Sequence, residues 1–262
     1  MFGYLRGIYQ SRLFCYSLVQ HDIRKRYRRS ALGVLWAVIQ PVMLALVLTF
    51  ILHRAFQHAA VDYFLYVLTG LCFWNYITHV VSGGCQSIQG ATVYILENRI
   101  PIAVYPLRYM LVGVFHLVMA MLPVAVLSVI ISGLPTLAGV ISLIPVALLL
   151  LVLGWSLSCF FGIAAVYVPD VSQITQVALR ILFYATPIIW QKNMARFKEI
   201  EWVVSLNPLA AMMDLVRGPL LNGLPADNFA SLYGLSSLLV VASFAAACGL
   251  LFWCENRLVL RL

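Results

Sequence analysis

Charge is the scarcest commodity in this chain: only 10% of its 262 residues are charged, and nine of them are acidic. An ordinary soluble domain carries about 25% charged residues, so a water-soluble globule is excluded at the outset. Several catalytic signatures are missing as well. No G-x-x-x-x-G-K-[ST] occurs, so no loop is encoded that would cradle nucleotide phosphates. There is no H-E-x-x-H, and the nearest approach to a serine-hydrolase elbow, Gly154-Trp155-Ser156-Leu157-Ser158, lacks its final glycine. The six cysteines, at 15, 72, 85, 159, 248 and 254, follow neither a disulfide framework nor metal-ligand spacing and are expected to act as small packing residues. No metal site is expected. Nor is a cleavable leader, because LFCYSLV ahead of the basic cluster is short and has no A-x-A-like exit.

What the chain has in abundance is apolar surface: 63% hydrophobic residues and a mean hydropathy of +0.96. A bilayer's hydrocarbon, about 30 Å thick, takes about 20 apolar residues to cross as a helix. Six such segments are legible, at 31–52, 63–81, 107–131, 140–166, 172–190 and 229–254, the fifth interrupted by Arg180. The expected fold is therefore an all-α integral membrane protein with six transmembrane helices over residues 31–254. SGLPTLAG turns the third helix into the fourth.

The remaining segments follow from that frame. Residues 1–30 alternate Phe2, Leu5, Ile8, Leu13 and Tyr16 with Arg6, Gln10 and Arg12 at near-helical spacing, which predicts an amphipathic helix in the membrane interface. Its end carries Arg24, Lys25, Arg26, Arg28 and Arg29, followed by Trp36 of an aromatic belt; these six are expected to anchor the interface. Counting Lys and Arg by loop gives eleven on the side bearing both termini and five opposite. The positive-inside rule then makes both termini, including the tail 255–262, cytoplasmic. Between the fifth and sixth crossings, apolar pieces too short to span predict a periplasmic helical hairpin over 200–224. In it Asn207-Pro208 opens a helix, Gly218-Pro219 breaks it, and Asp214 can pair with Arg217.

Polar residues inside such segments are costly and mark function. Gln173, Gln176, Arg180 and Tyr184 recur at spacings of three and four, so they share one helical stripe that should face a polar cavity or a partner. Asn75 and His79 do the same on the second crossing, with Tyr66 and Trp74 nearby offering broad aromatic faces over which a polymer could slide. His79 is read as hydrogen-bonding rather than metal-ligating. These eight residues are the expected channel lining. Gly154, Ser158 and Gly162 form a small-xxx-small seam for close helix packing.

The order of Asp22-Ile23, Arg26-Tyr27, Ser30, Leu32-Gly33, Trp36 and Pro41, followed by NRIPIAVYPLR, PDVSQI, TPIIW and Leu206-Asn207-Pro208, resembles the permease subunits of type-2 ABC exporters for polysaccharides, the O-antigen branch in particular. The resemblance implies a homodimer in the bacterial inner membrane. It would pair with two copies of a separately encoded ABC ATPase that binds ATP and Mg, and would move a lipid-linked polysaccharide. This chain would be no enzyme and hold no cofactor of its own. It also implies that Glu97, Arg99 and Pro101, together with Pro169 and Asp170, dock on the ATPase. The alternatives are export of capsule, teichoic acid or a drug, or an intramembrane lipid-processing enzyme. The last would need paired carboxylates at membrane depth, whereas every Asp and Glu lies at or near the edge of an apolar segment.

Overall fold

The computed structural model describes residues 2–28, 30–53, 59–97, 100–190 and 206–258. Every regular element among them is helical. Helix α1 (Phe2–Gln10) and α2 (Arg12–Tyr27) are separated by a break at Ser11; α3 (Trp36–Leu52) follows a 3-10 turn, Gly33–Leu35. Next come α4 (Ala60–Ser87), the short α5 (Thr92–Glu97), α6 (Val104–Ser132) and α7 (Leu137–Tyr167). The chain finishes with α8 (Val171–Ala185), α9 (Pro208–Arg217) and α10 (Phe229–Leu258).

Five helices among the described residues are long and apolar enough to cross a membrane: the Gly33–Leu52 segment containing α3, then α4, α6, α7 and α10. The chain is accordingly a multi-pass membrane protein. α4 is the axis of the bundle, packing on α3, α6, α7, α8 and α9. In α4, 72% of the most apolar stretch is buried, against 17% to 33% in the other four spans. Those four keep wide oily faces, such as Met43, Val47 and Phe50 on α3 and Val118, Leu122 and Ile130 on α6, exposed as lipid contact requires.

The α4–α7 contact is a backbone approach of the kind the small-residue seam predicts. A Cβ on Gly84 would lie 2.6 Å from the Ser158 Cα, and one on Gly162 would lie 2.8 Å from the Gly84 carbonyl oxygen. The Ser158 hydroxyl donates across the crossing to the Val80 carbonyl at 2.6 Å. A second core, at the end bearing the basic cluster, gathers Leu18, Ile88, Ile95, Ile102, Tyr105 and Leu251 from α2, α5, α6, α10 and the connections beside them.

Two segments depart from the sequence reading. The expected crossing at 172–190 is helical for only 15 residues, about 22 Å. Thr186 precedes a proline and adopts an extended backbone (φ −99°, ψ 139°), ending the helix there. In the 200–224 hairpin, the helix occupies Pro208–Arg217, while 200–205 lie outside the described residues. Asn207 caps it as expected, its side-chain oxygen accepting from the Leu209 and Ala210 amides at 3.0 and 3.4 Å. α9 is no surface loop, since Ala210, Met212, Met213 and Leu215 are completely buried against the bundle. Gly218-Pro219 does not break it either. Pro219 has no N–H to give the Leu215 carbonyl, and the chain continues as a wider π turn, Gly218–Asn222.

Candidate functional site

Three adjoining clefts run from the end of α2 past α3 and then along one side of α4. The first, about 340 Å³, is lined by Arg26, Tyr27, Ser30, Trp36 and Gln40. Arg26 and Gln40 also belong to the second, about 320 Å³, which continues over Pro41, Asn75, Thr78, His79, Ser82 and His116. Thr78 and Ser82 pass into the third, about 440 Å³, whose far wall is Gln176, Arg180, Phe183 and Tyr184. Together they make a trough of mixed polar and apolar lining from the basic cluster to α8. Asn75, Thr78 and Ser82 recur every three or four residues and so floor it from one face of α4.

α8 builds the trough's wall because it is seated by a narrow strip only. Thr175 and Leu179 are its buried side chains, whereas Gln173, Gln176, Arg180 and Tyr184 are exposed. The Arg180 guanidinium makes no ion pair or hydrogen bond with another described residue. An arginine at membrane depth with no internal partner requires water or a ligand beside it. Trp74 is almost fully buried, but its ring meets Phe183 edge-on at 5.8 Å and closes the back of the third cleft. Gln173 shares the stripe but lies outside the cleft itself.

Around His79 the structure adds residues that sequence reasoning missed. His116 on α6 stands 5.6 Å away, ring centre to ring centre, and its Nδ1 contacts the Val112 carbonyl at 2.8 Å. Both Nε2 atoms are buried without a partner among the described residues. Pro41 on α3 cannot donate to the Ala37 carbonyl, and both residues line the same cleft. At the mouth, burial pushes the Tyr27 phenol above its usual range and Arg26 draws it partly back, so it stays a neutral donor.

Tyr66 does not line the trough. Its hydroxyl donates to the Pro187 and Trp190 carbonyls, both at 2.9 Å, and its ring lies 3.6 Å under the Arg217 guanidinium. Arg217 donates to the carbonyls of Pro187 at 2.8 Å, Tyr66 at 3.0 Å and Ile188 at 3.3 Å. The sequence offers Asp214 as its partner; the structure adds carbonyls, its fork pinning the non-helical stretch after α8. Thr186–Pro187 frees carbonyls that a helix would have satisfied, and a buried guanidinium supplies the donors. Nothing local in the sequence signals that contact, because Arg217 and Tyr66 stand 151 residues apart.

Residues 14–221 match the family model for the ABC-2 type transporter. The chain belongs to that family. Two proteins of Klebsiella pneumoniae, each named O-antigen export system permease protein RfbA, are similar to it. One is 25% identical over 207 residues, 79% of either chain. The other is 24% identical over 230 residues, 87% of this chain and 88% of its own. A Myxococcus xanthus protein of the same name is 26% identical over 216 residues, 81% of this chain and 82% of its own. Membership implies a transporter permease that associates with an ABC ATPase.

In this ABC-2 permease the residues expected to meet that partner fall at the end carrying the basic cluster. Glu97 closes α5 and is exposed; Pro169 and Asp170 are exposed in the turn between α7 and α8. Pro101 packs toward α1, its Cγ 3.0 Å from where a Cβ on Gly7 would stand. Arg99 lies outside the described residues, as does Arg29 of the basic cluster. Arg24, Lys25, Arg26 and Arg28 are exposed, and the Trp36 indole donates to the Ser30 hydroxyl at 3.0 Å. The sequence reading missed the clasp that holds α2 to α6, a two-pronged ion pair in which Arg108 Nη2 meets the Asp22 carboxylate at 2.6 Å and Nε meets its other oxygen. Asp22→Asn is expected to free α2, raising amide exchange over residues 12–27 about tenfold; an Asp22→Arg, Arg108→Asp exchange should recover part of the protection. Unchanged exchange in Asp22→Asn would assign the docking of α2 to apolar contacts alone.

Proposed function

We propose that the chain is the permease subunit of an ATP-driven exporter that moves a lipid-linked polysaccharide of the O-antigen type across the bacterial inner membrane. The observation that carries this reading is the trough: an arginine-bearing groove beside the central helix, open in one copy of the chain. A membrane protein has no reason to leave Arg180, Gln176 and Asn75 uncovered toward lipid. A second copy facing the first would cover them and turn two troughs into one conduit. On this reading both termini are cytoplasmic, and two copies of an ABC ATPase bind ATP and Mg and do the hydrolysis. They dock against Glu97, Arg99 and Pro101 and against Pro169 and Asp170. This chain performs no covalent step and carries no cofactor. The names and extents of the relatives support the substrate class, and the amide, hydroxyl and guanidinium groups of Asn75, Ser82, Gln176 and Arg180 along the trough support a hydroxyl-rich cargo.

The channel role falls to Gln173, Gln176, Arg180 and Tyr184 on one wall and to Asn75, His79 and Trp74 on the other. Arg180→Ala is expected to lower polymer export at least tenfold with the chain present at normal levels and the ATPase still bound. Arg180→Lys, which keeps the charge and loses the fork, should fall between. Normal surface polymer in a cell whose sole copy is Arg180→Ala would remove Arg180 from the transport path.

A further inference from the structure

We propose that Ser128 and Thr136, on the hairpin of α6 and α7, are positioning residues for the Arg180 wall of the trough. By clasping the π turn they fix Arg217 and, through it, the end of α8. The consequence for transport rests on the exporter reading, whereas the mechanical linkage is measurable without it.

A helix leaves its last carbonyls without partners inside it, and at an open end water takes them. Beyond α9, side chains from a distant hairpin do so instead. The Ser128 hydroxyl donates to the Leu220 carbonyl from 92 positions off. The Gly223 carbonyl accepts twice from Thr136, from its hydroxyl at 2.6 Å and from its amide at 2.9 Å. That hydroxyl accepts in turn from the Gly139 amide at 3.1 Å, so one side chain caps the start of α7 and holds the exit of the π turn. The fit is close at both ends of the joint: a Cβ on Gly139 would lie 2.6 Å from the Gly223 carbonyl oxygen, and one on Gly218 would lie 2.7 Å from the Ala226 backbone.

From this clasp to the trough the path is short and continuous. Gly218, the first residue of the π turn, directly follows Arg217, the last of α9. Arg217 is buried and donates to the Pro187 and Ile188 carbonyls at 2.8 and 3.3 Å. Ala185 closes α8 just before them, and Arg180 and Tyr184, in its last two turns, line the third cleft. Since Thr175 and Leu179 are the buried side chains of α8, a shift of Arg217 would reach its far end with little else to resist it.

The two hydroxyls divide the task. Ser128 is 6% exposed, so its bond to the π turn is shielded from water, whereas Thr136 is exposed and holds by two donors. The turn they grip is one residue wider per ring than an α-helix, and Pro219 keeps it so; single π turns of this kind recur at functional sites.

The test is amide exchange on the full chain in lipid nanodiscs, paired with surface polymer in cells whose sole copy carries each variant. Thr136→Asp keeps an acceptor for the Gly139 amide, and so the cap of α7, but has no donor for Gly223. Combined with Ser128→Ala, it should raise exchange about tenfold over 218–223 and about fivefold over 181–189, with α4 unchanged, and lower surface polymer about threefold at equal chain levels. Thr136→Ser, which keeps the hydroxyl, should match the native chain in both measurements. Faster exchange confined to 218–223 overturns the proposal, as does native export from a double variant in which 181–189 has loosened. Neither result touches the exporter reading, whose own test is Arg180→Ala. Should the double variant fail to fold, the native chain decides: in mild denaturant 133–136, 218–223 and 181–189 must open together with one free energy, and separate openings overturn the proposal.

Discussion

Gly84→Val should prevent α4 and α7 from closing, and it is the most damaging single substitution expected in this chain. The atoms a Cβ would meet at Gly84 are backbone: the Ser158 Cα at 2.6 Å, its carbonyl oxygen at 3.0 Å and its carbonyl carbon at 3.3 Å. No rotamer change relieves such a contact; the helices must move apart. Separation would break the Ser158–Val80 hydrogen bond and the apposition of Gly162 to Ser87. Overpacking costs about 3 kcal/mol or more where neighbours cannot give, and lost interhelical packing adds to it because lipid supplies no compensating hydrophobic drive. Gain of helix propensity over glycine is about 0.5 kcal/mol and does not compete. The expected measurement is a melting temperature in detergent lower by about 10 °C, or no folded chain at all. Gly90, where a Cβ would meet nothing within 4 Å, is the control, and Gly90→Ala should leave melting unchanged. Equal melting of Gly84→Val and the native chain would show that the α4–α7 crossing is looser than described.

Arg217→Met is the second. The Ile188 carbonyl would lose its donor inside the bundle, the Pro187 carbonyl would keep only the Tyr66 hydroxyl and the Tyr66 carbonyl only its place in the α4 ladder, and Tyr66 would lose the cation over its ring. A buried acceptor left unpaired costs about 1–3 kcal/mol, and the loss of two further charge-assisted hydrogen bonds adds to it. Gly70 is part of this arrangement, since a Cβ there would lie 2.5 Å from Arg217 Nη2 and 3.3 Å from the Ile188 carbonyl. The effect should concentrate on residues 181–189, where amide exchange would rise well above that of α4. It should also disturb Arg180, because the same stretch fixes the far end of α8. Arg217→Lys keeps the charge but cannot span three carbonyls, and should recover less than half of the protection. Native exchange in Arg217→Met would mean that the Tyr63 and Tyr66 hydroxyls, which reach Ile189 at 2.8 Å and Pro187 and Trp190 at 2.9 Å, hold the segment alone.

These two sites show different degrees of legibility. The Gly154, Ser158 and Gly162 seam could be read directly, because small residues four apart on an apolar helix have few other uses, although its partner Gly84 could not. Arg180 and its stripe were visible as a periodic polar exception within a long apolar segment. His79 could be singled out, but not His116, because a lone histidine in a run of Val, Leu and Met carries no periodic mark. Tyr66 was misplaced for the same reason: an aromatic at an apolar segment's end fits a channel wall and a carbonyl clamp equally well. The order of short motifs indicated an ABC-2 permease, and the match over residues 14–221 shows that family.

By itself the sequence determined the solvent and the periodicity. With so few charges, most of the chain must lie in lipid, and in lipid a backbone without strand partners must be helical. Hence the long apolar helices, the polar stripe on α8 and the amphipathic start are written in composition and spacing, although the sequence offers six crossings where five of the described helices are long enough. Tertiary structure decided which polar groups meet. Arg217, one turn from Asp214, holds carbonyls from two distant segments; Asp22 clasps Arg108 from 86 positions off. Hydrophobic burial is roughly additive and local, so its pattern survives in one dimension. Hydrogen bonds and ion pairs are satisfied within about 3 Å, and which atoms come that close depends on how all the helices pack.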